Sequence, residues 1–180
     1  MGNPAKRLDF EELELQEVLY KKFSEKLYGL TGINLPYNQK NVALVKNRLS
    51  KVIRRNNWNS YEDYWRRLCE NNSAANSSPM LDEFISALTT NKTHFFREDA
   101  HFEFTKKWLQ KNYNPNQELR VWCAAASTGQ EPWTIVMTIL DAFPNLTHGR
   151  CKVLATDIDL KVLARAAEGI YTSSEVESMP

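Results

Sequence analysis

Glu118-Leu-Arg-Val-Trp-Cys-Ala-Ala-Ala-Ser-Thr-Gly-Gln-Glu-Pro132 is the stretch on which the fold depends. Leu119 to Cys123 is typical of a short buried strand, and the small residues at 124–129 predict a tight turn. Pro132 then opens an apolar run long enough for a helix. A strand, a turn without bulky side chains and a helix N-terminus form a place where a ligand can approach backbone N–H groups closely. Packing alone can also select small residues in such a turn, so the turn does not identify a ligand by itself.

A second strand and helix follow farther along the chain. Residues 151–156 predict a short apolar strand that stops at Asp157, and residues 160–168 predict a helix with Gly169 as its C-cap. The order helix, strand, helix, strand, helix is the start of an open parallel α/β sheet. Asp157 lies at the carboxyl end of the second strand, where an acid reaches the ribose hydroxyls of a ligand in such folds. It could instead cap the next helix, although Asp159 is better placed for that role.

The glycine content of the turn narrows the expected ligand. Gly129 is its single glycine, and Asp157 follows at a greater distance than the roughly 20 residues of the NAD fingerprint. A pyrophosphate needs closer backbone approach than this turn permits, so a ligand without phosphates is expected. A nucleoside with an amino-acid tail would use Asp157 for its ribose and Glu131 for an ammonium or amide group. S-adenosylmethionine fits that description.

Residues 1–88 predict a compact all-helical unit. Apolar residues recur there at the helical period, with charged residues on the opposite faces. Ser60 and Asp63 stand in capping-box positions at the start of the third helix. A polar loop is expected at 71–79. The predicted helices are 10–30, 38–56, 60–71 and 80–88.

The second predicted helix has an unusual charge pattern. No Asp or Glu occurs between Glu25 and Glu62, whereas six Lys or Arg residues fall in the helix. Arg48, Lys51 and Arg55 share one face, offset from the apolar stripe. Such a face is either a solvated surface or a docking surface for an acidic partner. Nucleic acid is disfavoured as the partner because the helix has no interleaved aromatic residue and no glycine loop.

Composition and charge argue against several classes of function. The 180 residues are 42% hydrophobic with a formal net charge of +1, which gives no general argument for binding nucleic acid or membranes. No apolar run reaches the roughly 18 residues of a membrane span, and the polar N-terminus lacks the apolar core of a signal peptide. The expected location is therefore the cytoplasm. Cys69, Cys123 and Cys151 have no CxxC spacing, so neither a metal site nor a disulfide is expected.

Three motifs are specific enough to indicate a family. They are Thr-Thr-Asn-Lys-Thr-His-Phe-Phe-Arg at 89–97, Arg-Val-Trp-Cys-Ala-Ala-Ala-Ser-Thr-Gly-Gln-Glu-Pro at 120–132 and Ala-Thr-Asp-Ile-Asp at 155–159. Together they resemble the CheR chemotaxis receptor methyltransferases, which are S-adenosylmethionine-dependent protein-glutamate O-methyltransferases. Gly-Ile-Tyr at 169–171 also resembles the family's segment after the second strand. The resemblance covers about residues 8 to 178 and is strongest from residue 89 onward.

The resemblance implies an α/β fold class, with an all-helical N-terminal domain before the first part of a Rossmann-like methyltransferase domain. The expected domains are a helical unit at 1–88, a linker at 89–98 that contributes to the cofactor site, and a partial methyltransferase domain at 99–180. Family members continue well beyond the position matching Pro180, with further strands and more of the cofactor pocket. The chain is therefore expected to be a fragment or truncation, which puts the activity of this piece in question.

The resemblance also implies roles for individual residues. Arg97 matches an arginine that assists catalysis at the methyl-transfer centre and contacts the cofactor. Glu131 matches the acid after the first turn, and Asp157 matches the ribose-binding acid. Gln130 and Trp133 replace the family's more usual Glu and Tyr, which should not disturb the cofactor contacts. The implied cofactor-binding residues are Asn91, Thr93, Arg97, Glu131 and Asp157.

The implied reaction needs no general base. A glutamate side chain has a reference pKa of about 4.3 and is already ionised at neutral pH, so catalysis should come from positioning and from desolvating the carboxylate. His94 and His101 are accordingly interpreted as structural. Arg97 can hold a carboxylate of the substrate or of the cofactor's tail. Its structural alternative is a salt bridge with the adjacent Glu98 or Asp99.

The implied partners are chemoreceptors. The basic helix with Arg48, Lys51 and Arg55 matches the face that binds the acidic methylation helices of the chemoreceptor cytoplasmic domain. No nucleic acid and no membrane insertion are expected, and the product from the cofactor is S-adenosylhomocysteine. Three hypotheses remain: a receptor-glutamate methyltransferase present as its N-terminal part, a non-catalytic module that docks acidic receptor helices, and a phosphate- or nucleic-acid-binding α/β protein. The single-glycine turn and the near-neutral charge argue against the third.

Overall fold

The computed structural model describes residues 13–70, 78–146, 149–177 and 179. The chain divides into two compact units, Met1–Thr89 and Thr90–Pro180. We call the first the helical unit and the second the sheet unit. In the part of the chain that the structure describes, no helix is both long enough and apolar enough to cross a membrane.

Among the described residues of the helical unit there are four helices, as the apolar periodicity predicts. Side chains satisfy the first backbone N–H groups of three of them. Ser60 Oγ accepts a hydrogen bond from Asp63 N at 3.2 Å, which forms the serine half of the predicted capping box. Asn38 and Ser78 accept in the same way at the starts of α2 and α4. The helices are α1 Glu17–Thr31, α2 Gln39–Arg55, α3 Tyr61–Glu70 and α4 Pro79–Leu88.

The first helix begins later than the apolar pattern predicts. α1 starts at Glu17, and residues 13–16 before it are not helical. Leu13 and Leu15 are nevertheless buried in the core of the unit. An apolar residue at helical spacing can therefore reach the core from an extended approach segment as well as from a helix. Residues 10–12 of the predicted helix and residues 71–77 of the predicted loop lie outside the described residues.

Aromatic rings occupy the centre of the helical unit. Phe23 is fully buried, and its ring centroid lies 5.7 Å from that of Tyr64, 5.3 Å from that of Trp65 and 6.0 Å from that of Phe84. Edge-to-face and offset pairs of this kind add to the stabilisation from area burial alone. All residues of this buried cluster lie between Leu13 and Leu88.

The sheet unit alternates helices and strands in the predicted order. β1 and β2 pair in parallel, with Leu119 opposite Cys151 and Cys123 opposite Ala155. α5 packs on α6, and α6 contacts β2. The arrangement is the start of an open α/β sheet with its crossover helix. The elements are α5 Asp99–Asn112, β1 Leu119–Cys123, α6 Gln130–Ala142, β2 Cys151–Ala155, α7 Leu160–Glu168 and α8 Ser173–Val176.

The strands are half exposed, whereas the apolar sequence predicts a buried β1. One face carries Arg120 beside Lys152 and Trp122 beside Leu154, and the two apolar members are 67% and 60% exposed. On the other face Cys123 is buried, and residues of α6 and α7 line a cavity with Val153. A parallel strand is buried on both sides only when helices cover both faces of the sheet. Among the described residues, helices cover one.

α6 begins before the proline at which the sequence predicts its start. Gln130 is its first residue, and Gly129 precedes it with φ at 98°. Pro132 falls in the first turn, where N–H groups have no partner inside the helix, so its missing N–H costs little. Glu131 therefore lies in the first turn of α6, at the edge of the sheet.

Candidate functional site

The turn between β1 and α6 is fastened to the end of β2. Ala126 N donates a hydrogen bond to Thr156 O, and Thr156 N donates one to Cys123 O, each at 2.9 Å. These bonds extend the pairing of the strands beyond their ends. The turn is thereby held at the carboxyl edge of the sheet, which is where open α/β folds bind their ligands.

Close packing accounts for the glycine in this turn. A Cβ at Gly129 would lie 2.3 Å from the Tyr171 hydroxyl oxygen and 3.1 Å from Cα of Ala166. The Tyr171 hydroxyl also donates to Thr128 O at 2.9 Å. α7 and Tyr171 therefore approach the start of α6 too closely for any side chain at position 129. The glycine gives no support to a phosphate-binding loop.

The Asp157 carboxylate joins the two loops at this edge of the sheet. Its Oδ2 accepts a hydrogen bond from Ser127 N at 2.8 Å, and its Oδ1 accepts one from Asp159 N at 2.9 Å. Two backbone donors thus fix the orientation of the carboxylate. Because each carboxylate oxygen has two lone pairs, these bonds leave acceptor capacity for the hydroxyls of a ligand.

Asp159 connects residue 91 to the sheet. Its side chain is 1% exposed, and its two oxygens accept from Asn91 Nδ2 at 2.6 Å and from Lys161 N at 3.0 Å. The bond from Lys161 N caps α7, which confirms the predicted capping role of Asp159. Asn91 has a further link to the same edge, because its carbonyl oxygen accepts from Ser127 Oγ at 3.2 Å.

Four residues consequently close a ring of hydrogen bonds. Asn91 binds Asp159, the Asp159 amide binds Asp157, Asp157 binds the Ser127 amide, and the Ser127 hydroxyl binds Asn91. We call this the four-residue ring. It joins the segment before α5, the β1–α6 turn and the β2–α7 loop. Two predicted cofactor contacts, Asn91 and Asp157, are members of it.

A cavity of about 560 Å³ lies between α5, β1 and α6. Arg97 and Glu131, two further predicted cofactor contacts, both line it, so a cation and a carboxylate border one space. Arg97 Nη1 donates a hydrogen bond to Lys92 O at 2.7 Å. Arg97 therefore binds a backbone carbonyl and not the carboxylate of Glu98 or Asp99, which the structural alternative predicted. Apolar side chains complete the walls, among them Leu109, Val121 and Ile139. Such a cavity suits a zwitterionic ligand.

Cys123 lies beside the Glu131 carboxylate. Its Sγ donates to Glu131 Oε1 at 3.5 Å. Burial first, and then the neighbouring carboxylate, raise the pKa of the Cys123 thiol to about 11. The thiol is therefore neutral at physiological pH and remains a donor to Glu131. Cys123 is thus a small, neutral residue of the core.

The remaining predicted residues of the sheet unit have plainer surroundings. Thr93 is partly buried in the segment before α5. His101 lines the cavity that contains Arg97, and His94 lines a second cavity of about 740 Å³ beside α5 and α6. A catalytic role for either histidine is not required by the chemistry expected from the sequence.

The three predicted docking residues on α2 differ in their environments. Arg48 is partly buried and donates to backbone carbonyl oxygens at the C-terminus of α4. Arg55 forms an ion pair with Glu83 while its side chain stays 64% exposed. Lys51 is exposed. Arg48 thus has a structural role, Lys51 presents its charge outward, and Arg55 is exposed but paired with Glu83. The docking role itself stays a prediction.

Sequence patterns do not indicate the contribution of two ring members. Asp159 is expected only as a helix cap, and Ser127 only as a small turn residue. Their bonds to Asn91 span 68 and 36 residues of sequence. The Asp-x-Asp spacing after β2 was a signal that could have identified Asp159, whereas Ser127 has no comparable signal.

Two family models match the chain. The model described as CheR methyltransferase, SAM binding domain, matches residues 91–180. The model described as CheR methyltransferase, all-alpha domain, matches residues 19–89. The matched regions correspond to the residues that form the sheet unit and the helical unit.

Curated relatives resemble the chain over most of its length. A probable chemotaxis protein methyltransferase of Rhizobium etli is 38% identical over 157 residues, which are 85% of this chain and 56% of the relative. Chemotaxis protein methyltransferases of Salmonella typhimurium and Escherichia coli are 36% and 37% identical over 169 residues, or 94% of this chain and 55% and 56% of those relatives. The chain therefore spans little more than half the length of these relatives.

Proposed function

The chain belongs to the CheR methyltransferase family, and from this we propose that the protein methylates glutamate side chains of chemotaxis receptors, with S-adenosylmethionine as the donor. The products would be glutamate methyl esters and S-adenosylhomocysteine. The observation that supports the proposal most strongly is that Arg97 and Glu131 line one cavity of the sheet unit. A second support is that the relatives described above are named chemotaxis protein methyltransferases.

The charges on this cavity fit the amino-acid tail of S-adenosylmethionine. The tail's carboxylate suits the Arg97 guanidinium, which can form two parallel hydrogen bonds with it. Its ammonium group suits the Glu131 carboxylate, which the Cys123 thiol already contacts. The cavity of about 560 Å³ is also within the roughly 300–1,000 Å³ of small-molecule sites.

Asp157 is the proposed ribose contact. Its carboxylate is oriented by the Ser127 and Asp159 amides, and the remaining lone pairs can accept from the two ribose hydroxyls. Asn91, held by Asp159, is the proposed contact from the segment before α5. Thr93 in the same segment is assigned to the cofactor through the family resemblance.

When bound, S-adenosylmethionine supplies an electrophilic methyl group on its sulfonium. A substrate glutamate is already ionised at neutral pH, since its reference pKa is about 4.3, so no side chain has to remove a proton. Arg97 is the proposed catalytic residue, because it can hold the carboxylate of the substrate or of the donor's tail in line. Apolar side chains such as Leu109 and Ile139 border the cavity and would lower the hydration of a carboxylate held there.

Receptor docking is assigned to α2. Lys51 presents positive charge outward beside the 64% exposed Arg55, and the methylation helices of chemoreceptors are acidic. The same observation favours a second candidate function, in which this chain docks receptor helices without transferring a methyl group. A cytoplasmic location is part of the proposal in either case.

Binding of S-adenosylhomocysteine, measured by calorimetry, tests the cofactor site. We expect the 180-residue chain to bind it. Asp157→Ala should weaken binding by about 1–3 kcal/mol because buried hydrogen bonds are lost. Glu168→Ala removes an exposed acid of α7 and is the matched control. If only a form as long as the relatives binds, this chain keeps the docking function alone, and if neither binds, the methyl-transfer proposal is refuted.

Charge reversal tests docking to a receptor fragment that carries the acidic helices. Lys51→Glu should weaken association at low salt, where charge pairs are least screened. Lys22→Glu reverses an exposed lysine on α1 and should have little effect. Equal losses in both variants would mean that net charge, and not the α2 face, determines the association.

A further inference from the structure

We propose that Ser127 and Asp159 are positioning residues that hold the cofactor contacts Asn91 and Asp157 in register with each other. Asn91 lies before α5 and Asp157 follows β2, so no local structure fixes the distance between them. Ser127 and Asp159 each bond to both of them. The identity of the ligand rests on the proposed function, whereas the ring itself does not.

The burial of Asp159 indicates more than helix capping. A carboxylate removed from water needs hydrogen bonds to both oxygens to offset its desolvation. Capping α7 uses Oδ1 alone, and Asn or Ser would cap as well as Asp. Compared with Asn or Ser, Asp adds a second acceptor oxygen, Oδ2, and this atom accepts a hydrogen bond from Asn91 Nδ2. The second oxygen therefore serves the segment before α5.

The backbone of Ser127 supports a similar conclusion. Its φ is 48°, a left-handed conformation in which serine is less favourable than glycine. A glycine would keep the N–H that binds Asp157 but would lose the hydroxyl that donates to Asn91 O. The strained serine thus contributes one thing that glycine cannot, which is the link to Asn91.

The closed path makes the four links depend on one another. Each member is oriented by two neighbours, so loss of one link leaves the next member held on one side only. Breaking the bond of the Ser127 hydroxyl should then weaken the hydrogen bond from the Asp159 N–H to Asp157, although Ser127 and Asp159 do not bond directly. Positioning through a shared network predicts this transmitted effect, and separate structural roles do not.

Two substitutions each remove one hydrogen bond of the ring. Asp159→Asn keeps an oxygen for Lys161 N and hence the cap, but its amide cannot also accept from Asn91. Ser127→Ala removes only the hydroxyl. Ser174→Ala removes a hydroxyl contact at the start of α8, outside the ring, and is the control. With S-adenosylhomocysteine as the probe, we expect affinity to fall about tenfold or more for Asp159→Asn and about threefold or more for Ser127→Ala, and to stay unchanged for the control.

Amide hydrogen exchange without ligand supplies an independent measurement. Ser127→Ala should speed exchange of the Asp159 N–H, and Asp159→Asn should speed exchange of the Ser127 N–H, each about tenfold. Combining Asn91→Asp with Asp159→Asn exchanges donor and acceptor and restores the link, so slow exchange at Ser127 should return. This rescue would not occur if Asp159→Asn acted only by weakening the helix cap.

The outcomes separate this proposal from the proposed function. If the wild-type chain binds S-adenosylhomocysteine and both ring variants bind it equally well, positioning is refuted and methyl transfer stands. If the wild-type chain does not bind, the exchange data still decide the ring. Unchanged exchange in both single variants would overturn it, and faster exchange with rescue in the double variant would support it.

Discussion

Cys123 shows how its surroundings set the protonation state of one buried side chain. Burial and the adjacent Glu131 carboxylate raise the pKa of its thiol to about 11. The thiolate would be poorly solvated and would repel the carboxylate, so the neutral thiol persists as a hydrogen-bond donor. The neutral thiol can therefore keep its hydrogen bond to Glu131.

Alkylation by iodoacetamide should distinguish Cys123 from the exposed Cys69. At pH 9, a thiol of pKa about 11 is roughly 1% thiolate, and Cys123 is also buried, so we expect it to react at least about tenfold more slowly than the exposed Cys69. Because the folded pKa is raised, the stability contributed by the neutral thiol is complete below pH about 8.5 and is lost as the pH rises through about 11. Peptide mass spectrometry measures the rates, and equal rates would contradict the assigned environment.

At the scale of residues, the sequence predicted the helix cap at Asp159 but not the four-residue ring. The cap at Asp159 joins neighbours in sequence, so local spacing reveals it. Its bond to Asn91 joins residues 68 positions apart and depends on the tertiary fold. Asp157, predicted as either a ribose contact or a cap, accepts from two loop amides while Asp159 caps α7, and its ribose contact stays a prediction. The family resemblance assigned Arg97 and Glu131 to the same cofactor, whereas the cavity that both residues line depends on the packing of α5 on α6.

At the scale of elements, the start of α6 depends on Gly129. Gly129→Ala places a methyl group 2.3 Å from the Tyr171 hydroxyl at a φ of 98°. We expect a loss of about 2–5 kcal/mol in the free energy of unfolding of the sheet unit, which combines backbone strain with overpacking. Urea denaturation measures it.

Gly149→Ala is the matched control for that substitution. Its φ is 83°, but nothing lies within 4 Å of the added Cβ, so it should cost only the strain of about 1–2 kcal/mol. Combining Gly129→Ala with Tyr171→Phe should recover part of the loss. If Gly129→Ala costs no more than Gly149→Ala, the close approach of α7 and Tyr171 is not a constraint.

Arg48 is the structural member of the α2 face. Arg48→Ala removes a cation that binds carbonyl oxygens at the C-terminus of α4, where a helix has no partners of its own. We expect the free energy of unfolding of the helical unit to fall by about 1–3 kcal/mol, whereas Lys51→Ala should change it by less than about 0.5 kcal/mol. If urea denaturation shows that Arg48→Ala costs as little as Lys51→Ala, the bonds from Arg48 to the end of α4 do not stabilise the unit.

The bounds of helices and strands were predicted correctly where a polar residue or a glycine ends an apolar run. β1 and α7 have the predicted residues, because flanking polar residues, Asp159 and Gly169 define them. The start of α1 was wrong, since Leu15 reaches the core from a nonhelical segment. Burial of β1 was also wrong, since a strand's own sequence does not show whether a second layer covers it.

At the scale of the whole molecule, the two units differ in how they are stabilised. The helical unit contains the entire cluster of buried residues from Leu13 to Leu88, with aromatic rings in mutual contact. The sheet unit leaves Trp122 and Leu154 exposed on one face. Stability should therefore be distributed unequally between the units.

Residues 1–89 should fold without the rest of the chain. One buried cluster contains side chains from all four described helices of this unit, which favours cooperative folding. Far-ultraviolet circular dichroism in urea should show one sigmoidal transition, at nearly the same midpoint as the helical unit in the full chain. A gradual loss of signal would mean that the helical unit needs the sheet unit to be stable.

The overall class was predictable in outline. Helical periodicity up to Leu88 and the strand–helix alternation after it predict an all-helical unit followed by an α/β unit, and the family models match both parts. The sequence could not show which face of the sheet is covered, because that property depends on contacts that the strands alone do not specify.

The two-stranded sheet has a practical consequence in solution. With only β1 and β2 among the described strands, each strand has one side whose backbone N–H and C=O groups lack a sheet partner. Such sides pair readily with other chains, and the exposed Trp122 and Leu154 add an apolar surface next to them. Concentrated samples of this chain should therefore tend to aggregate, and charged substitutions at Trp122 and Leu154 should keep it in solution longer.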